Sequence, residues 1–288
     1  MKKTKFIATV VMIVALLLLL VTTLGDQDTE PSTGFASHRI VAHAMGGING
    51  HAYTNTLEAF AANYEQGTRV FEADLMLTSD DQLVARHEWS RNMTKLLGQQ
   101  TVLPAAKQGT VLEYAQFMDS PILNIYSPLD MDKILDLMQA YPDAYIVTDT
   151  KEMKPELVTQ QFTLLTEAAE RRDPALLDRV IPQIYSQDML DVMNKVHVFS
   201  QVLYTLYQSQ DSDEQVIDFA KESGVDITMP STRATRSFVQ KLKKAGARVY
   251  VNTVNDEVEI VKLSRLGVDG FYTDFVSEDD LNTFKGLR

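Results

Sequence analysis

Glu72 and Asp74 stand two residues apart in the run "FEADLML", which is followed by the polar turn "TSDDQ" and then by His87 in "LVARHEW". A strand sends alternate side chains to one face, so Val70, Glu72, Asp74 and Met76 point one way and Phe71, Ala73, Leu75 and Leu77 the other. The wholly apolar set suits an outer face packed under helices, which turns both carboxylates inward. Two ionised carboxylates in a poorly solvated interior repel each other and lose hydration unless a cation or close donors compensate. One solution is a polar plug closed by Arg or Lys; the other is a metal ion. The run "YIVTDTK" repeats the pattern, with Tyr145, Val147, Asp149 and Lys151 on one face. Three carboxylates in a chain without cysteine point to a hard cation, Mg²⁺ or Ca²⁺, rather than zinc. A phosphate would fit between that cation and Lys151.

Histidine supplies proton chemistry, and the chain has five: His38, His43, His51, His87 and His197. His43 ends "RIVAH" and opens "HAMGG", where the glycine pair would let backbone approach a ligand closely. His43 and His87 fall at strand ends beside the carboxylates and read as catalytic, while the other three read as structural.

These residues need a scaffold that gathers strand ends. Eight β-rich runs qualify: "RIVAH", "VFEADLML", "AYIVTDT", "VIPQIY", "VLYTLY", "DITMP", "RVYVNTV" and "GFYTD". Segments of helical spacing lie between them, among them "NTLEAFAANYEQG", "PELVTQQFTLLTEAAERR" and "RSFVQKLKKAG". The alternation predicts an α/β fold, a (β/α)₈ TIM barrel over residues 39–288, with a doubly wound sheet as the alternative. No Gly-x-Gly-x-x-Gly follows the first strand, which removes the main support for dinucleotide binding. The stretch from Arg91 to Leu129 is too long for a turn and is expected as an excursion over one face of the barrel.

Ahead of the barrel, "MKKTK" is followed by nineteen uncharged residues, Phe6 to Leu24. At about 1.5 Å per residue such a helix just crosses a bilayer core of roughly 30 Å. Residues 1–25 are therefore expected to form a transmembrane signal anchor, with a cleaved signal peptide as the rival, and residues 26–38 a polar linker. Lys2, Lys3 and Lys5 would stay cytoplasmic, so the barrel would be extracellular, or secreted if the leader is cleaved. Beyond the leader 39 acidic residues outweigh the basic ones, of which the whole chain has 27, so nucleic acid is excluded as a partner. An exported chain without disulfides must hold together by packing alone. The sequence does not indicate an oligomeric state.

Taken together, "HAMGG", "YTNTLEAF", "FEADLMLTSDDQLVARHE" and the closing "AGARVYVNTVNDEVEIVKLSRLGVDGFYTDF" resemble the glycerophosphodiester phosphodiesterase family. That family shares its barrel with phosphatidylinositol-specific phospholipase C and sphingomyelinase D. The resemblance spans Arg39 to Phe275 and implies His43 and His87 as general acid and base, and Glu72, Asp74 and Asp149 as metal ligands. Four departures stand out. Ala44 replaces an arginine that meets the phosphate, leaving Lys151, Arg86 and Arg233 as candidates for the anion. Thr54 replaces a glutamate, and Asp149 replaces the usual third glutamate in an Asp-Thr-Lys order closer to sphingomyelinase D. Asn252 replaces an aromatic that stacks on the head group, a role left to Trp89, with Asn252 and Asn255 as polar substrate contacts. The implied substrate is a small phosphodiester, a phospholipid head group or a glycerol-phosphate polymer. The alternatives are a cyclising, phospholipase D-type reaction and a binding protein that has lost turnover.

Overall fold

A computed structural model describes residues 34–284 of the chain. The expected anchor (1–25) and most of the linker lie outside the described residues. Among the described residues no helix is long and apolar enough to cross a membrane. Gly34–Ser37 forms a short 3₁₀ turn belonging to a separate unit, and the compact body begins at His38.

Nine strands follow: β1 (Ile40–Ala42), β2 (Val70–Leu77), β3 (Leu83–Ala85), β4 (Tyr145–Asp149), β5 (Val180–Ile184), β6 (Leu203–Thr205), β7 (Asp226–Pro230), β8 (Val249–Asn252) and β9 (Gly270–Thr273). All but β3 are parallel neighbours in sequence order, and β1 pairs with both β2 and β9, so the eight close into a barrel. Helices cross between them as the spacing predicts, at Leu57–Glu65, Met131–Ala140, Pro155–Glu170, Gln187–Asn194, Asp213–Ser223, Arg236–Lys244 and Glu257–Ser264. Their ends carry the expected chemistry. Ser212 and Gln215 form a capping box at the start of Asp213–Ser223, and Gly224 closes it in the left-handed conformation at φ 70°.

The strand period sorts the core into two layers. Phe71, Ala73, Leu75, Ile146, Ile227 and Phe271 join the apolar layer beneath the helices. Their alternates Val41, Val70, Val147, Ile181, Leu203, Tyr250 and Tyr272 are equally buried but lie outside that layer and fill the barrel. Glu72 and Asp74 share the pleat of Val70 and therefore crown this inner column, as the alternation predicts.

The ninth strand is new to the sequence reading. β3 runs antiparallel to β2, with Leu75 opposite Ala85 and Leu77 opposite Leu83, so β2 outgrows the barrel and folds back as a hairpin. Three apolar residues between polar ones gave too short a run to mark it. The excursion that follows contains two small helices, Arg91–Leu96 and Tyr114–Met118, and two apolar clusters. One, built on Met93, Leu97, Ile122 and Tyr126, packs against Ile48 and Tyr53.

Candidate active site

The register of the barrel assembles the carboxylates. Asp74 lies directly opposite Asp149 across the β2–β4 ladder, and Glu72 sits one pleat lower opposite Val147. All three are buried, and one oxygen from each lies within 4.8 Å of the others. Lys151 reaches back over them, with Nζ 2.6 Å from Asp74 Oδ1 and 2.7 Å from Asp149 Oδ2. The polar-plug solution is thus partly realised, but one lysine faces three carboxylates.

Three of the remaining four oxygens are held by neutral donors. Asn55 clamps Asp74 from both sides, donating to Oδ2 at 2.8 Å and accepting from the Asp74 backbone N–H at 3.1 Å. Tyr185 donates its hydroxyl to Asp149 Oδ1 at 2.6 Å. The Ala44 N–H donates to Glu72 Oε2 at 2.8 Å. Ala44 itself is fully buried, so the backbone of this residue serves the carboxylate at the position where the resemblance implies a phosphate-binding side chain. Thr54 is buried as well and pairs with Thr56.

The two histidines are held differently. His43 Nδ1 lies 2.8 Å from Asp274 Oδ1, which fixes the ring so that Nε2 faces Glu72 Oε2 at 3.9 Å. Asn255 in turn donates to Asp274 Oδ2 at 2.8 Å and accepts from the Asp274 N–H at 2.7 Å. His87 arrives by the hairpin: the Arg86 N–H bonds the Asp74 carbonyl at 2.8 Å, and the His87 Nδ1 is buried without a hydrogen-bond partner among the described residues. Tyr53 stands edge-on to both imidazoles, with ring centroids 4.8 Å from His43 and 5.0 Å from His87.

Charge crowding sets the titration. Burial, and then the neighbouring Asp74, push Glu72 up to about 8, against the pull of His43. Burial alone would lower His43, but Glu72, the bond to Asp274 and Asp74 outweigh it and raise it to about 9. Burial likewise opposes ionisation of Asp74, yet Lys151, His87 and His43 hold it below the usual carboxylate range. His87 is lowered by burial, which outweighs the attraction of Asp74. The raised Glu72 marks negative charge that the protein's own groups do not balance. Three buried oxygen donors with surplus charge and no nitrogen or sulfur among them suit a hard divalent cation.

Several backbone positions around the site are left-handed without being glycine: Ala44 (φ 50°), Tyr53 (62°), Asn55 (50°) and Lys151 (56°). Each costs free energy that packing must offset, and such positions gather where side chains have to be aimed. The glycine pair serves a different end from the one expected. A Cβ on Gly46 would fall 2.3 Å from Asn63 Nδ2, and one on Gly47 2.5 Å from the Asp274 carbonyl, so the close approach is to the protein itself.

Not every expected contact reaches the centre. The guanidinium of Arg86 is spent on the Glu88 carbonyl, Gln99 Oε1 and Thr94 Oγ1, and it stacks on Trp89. Trp89 donates to the Leu77 carbonyl and packs on Phe117, so both residues help to build the excursion's wall. Arg233 is turned to the Asp211 carbonyl and Asp213. Asn252 ends β8 on the inward pleat with its Oδ1 buried and unbonded among the described residues. Asn255 contributes through Asp274. The sequence reading missed Asp274, Asn55, Tyr53 and Tyr185, although "YTNT" and "GFYTDF" had drawn notice as blocks.

Comparison with known proteins agrees with this fold. YqiK, an uncharacterized protein of Bacillus subtilis, is 26% identical over 243 residues, covering 82% of this chain and 95% of its own length. The crystal structure of a glycerophosphodiester phosphodiesterase from Parabacteroides distasonis has the same fold, with a TM-score of 0.69 at 18% identity over 86% of this chain and 97% of that one. An Oleispira antarctica phosphodiesterase in complex with the product sn-glycerol-3-phosphate gives a TM-score of 0.65 at 17% identity, covering 82% of this chain and 93% of its own. The model of the Glycerophosphoryl diester phosphodiesterase family matches residues 46–278, and this chain belongs to that family.

Proposed function

We propose that this phosphodiesterase hydrolyses glycerophosphodiesters with a divalent cation, Mg²⁺ or Ca²⁺, held by Glu72, Asp74 and Asp149. The observation that carries the reading is the meeting of three buried carboxylates, Lys151 and two histidines at one mouth of the barrel. The Oleispira antarctica complex supports the glycerol phosphate side of the substrate.

When bound, the cation would polarise the phosphodiester and offset the carboxylate charge. Lys151 adds positive charge for the remaining phosphate oxygens. His87 is the general base in this reading: it has no carboxylate partner and a lowered proton affinity, so it rests neutral and can take the proton of the attacking water. His43 is the general acid: Asp274 accepts its Nδ1 proton and, with Glu72, holds the ring as an imidazolium whose Nε2 gives its proton to the leaving alkoxide. A cyclising route, in which a hydroxyl of the substrate attacks the phosphorus, is the second reading, favoured by the Asp149-Thr150-Lys151 order.

The test is hydrolysis of glycerophosphodiesters by the EDTA-treated protein, followed by addition of Mg²⁺, Ca²⁺ or Mn²⁺. Activity should vanish and return with one of them, and phosphorus NMR should find a monoester from the start. Activity that survives the chelator overturns the cation, and a cyclic diester as first product transfers the reading to the cyclising route. We further propose, from Met1 to Leu24 alone, that the barrel works outside the cell. Protease treatment of intact cells should then degrade it.

A further inference from the structure

Beside the acidic centre, where β5 and β6 end, lies an open cleft of about 400 Å³. It shares a wall with the centre. The Tyr185 ring lines it while the Tyr185 hydroxyl bonds Asp149, and Met153, two residues past Lys151, forms an edge. A diester whose phosphorus sits over Asp149 and Lys151 would therefore extend one of its two alcohols into this space.

The lining selects by chemistry. Gln187, Gln208, Gln210 and Gln215 supply amides, each with donors and an acceptor, and such groups match hydroxyls, which also do both. The floor is already ordered: Asp211 Oδ2 accepts from Gln187 Nε2 and from the Tyr204 hydroxyl, both at 2.7 Å. Asp188 and Asp211 line the cleft, and no lysine or arginine among the described residues does, so a second anionic group would be repelled. The same carboxylates would attract a quaternary ammonium, but Asp188 is exposed to solvent, Asp211 Oδ2 already accepts two hydrogen bonds, and the aromatic faces such a cation needs are closed, with Tyr204 1% and Tyr185 7% exposed.

We propose that this cleft seats the second alcohol of the diester, a neutral polyhydroxyl group of sugar or cyclitol type held by Gln187 and Gln208, an inference that rests on the phosphodiesterase reading above. Glycerophosphoinositol and glycerophosphocholine share the glycerol arm and the phosphorus and differ only in that alcohol. With the full-length chain and added cation, kcat/KM should favour the inositol diester by about tenfold or more. Replacing both Gln187 and Gln208 by alanine should lower that ratio roughly five- to tenfold, mainly through KM. Gln208→Ala alone, at an exposed position, should give a smaller drop in the same direction without disturbing the fold. A ratio near one, a preference for the choline diester, or a ratio unmoved by the double variant overturns the assignment and leaves the phosphodiesterase reading standing. Turnover of neither diester is a failure of that reading instead. Saturation-transfer NMR with myo-inositol then decides the cleft, since a signal lost in the double variant supports it and no signal with the parent protein overturns it.

Discussion

At the N-terminal end of the barrel Asp226 meets Arg248, its carboxylate accepting the Arg248 backbone N–H at 2.8 Å and the guanidinium at 3.0 and 2.8 Å. At the opposite end Glu72, Asp74 and Asp149 share one lysine. Both groups are buried in the same ring of strands, yet one is balanced and the other is not. A paired carboxylate at the lower mouth joins the β6–β7 and β7–β8 loops to the sheet, whereas the crowded carboxylates at the upper mouth hold Glu72 as the acid up to about pH 8, the state a bound cation would replace.

The contrast breaks most visibly under substitution. His43→Ala and His87→Ala should each lower kcat on a glycerophosphodiester by about 10²- to 10⁴-fold while circular dichroism and thermal unfolding stay near those of the parent. Asp226→Ala should do the reverse, leaving kcat near the parent value and costing about 2–3 kcal/mol in urea unfolding, because Arg248 then stays partly buried without its carboxylate. If Asp226→Ala abolishes turnover in folded protein, the division between the two ends fails.

A smaller effect is expected at the residue that aims His43. Asp274→Asn keeps the shape but no longer stabilises a charged imidazole, so kcat should fall on the order of a hundredfold with little change in KM. The limb of the pH–rate profile that belongs to the proposed acid, His43, should shift down as well. An unchanged profile would reduce Asp274 to a packing role.

The smallest effect sharpens the comparison by pH. In cation-free protein Glu72 binds its proton more tightly than in the unfolded chain, so the stabilisation present below about 4.5 is lost as pH rises through about 8. His43 behaves alike: its contribution is complete below about 6.5 and lost through about 9. Stability without cation should therefore decline between pH 4.5 and 9. Saturating cation should flatten the decline, since it replaces the protons. A flat profile in EDTA would show that the acidic centre is better compensated than its charges suggest.

Much of this was legible in the sequence because periodicity is a strong signal. The two-residue period of "FEADL" and "YIVTD" correctly turned Glu72, Asp74 and Asp149 inward, and the alternation of strands and helices gave the barrel. What stayed hidden depends on three-dimensional partners. Asp274 bonds a histidine 231 positions away, and nothing local distinguishes it from Asp269. Arg86 seemed to offer itself to an anion because it precedes His87, but its guanidinium is buried against Gln99, Thr94 and the Glu88 carbonyl. The left-handed backbone at Tyr53 and Asn55 also escaped notice, since neither is glycine.

Tyr53 acts as the spacer of a jaw. In-line displacement at phosphorus needs its proton acceptor and donor on opposite sides of one tetrahedral centre. A single phenol ring touching both imidazoles sets how far apart those two sides stand. That ring packs against the cluster of Met93, Leu97, Ile122 and Tyr126, which belong to the excursion and not to the barrel. A change in the length or packing of that loop would therefore be felt at both imidazoles through Tyr53, while the carboxylates stay on the barrel strands.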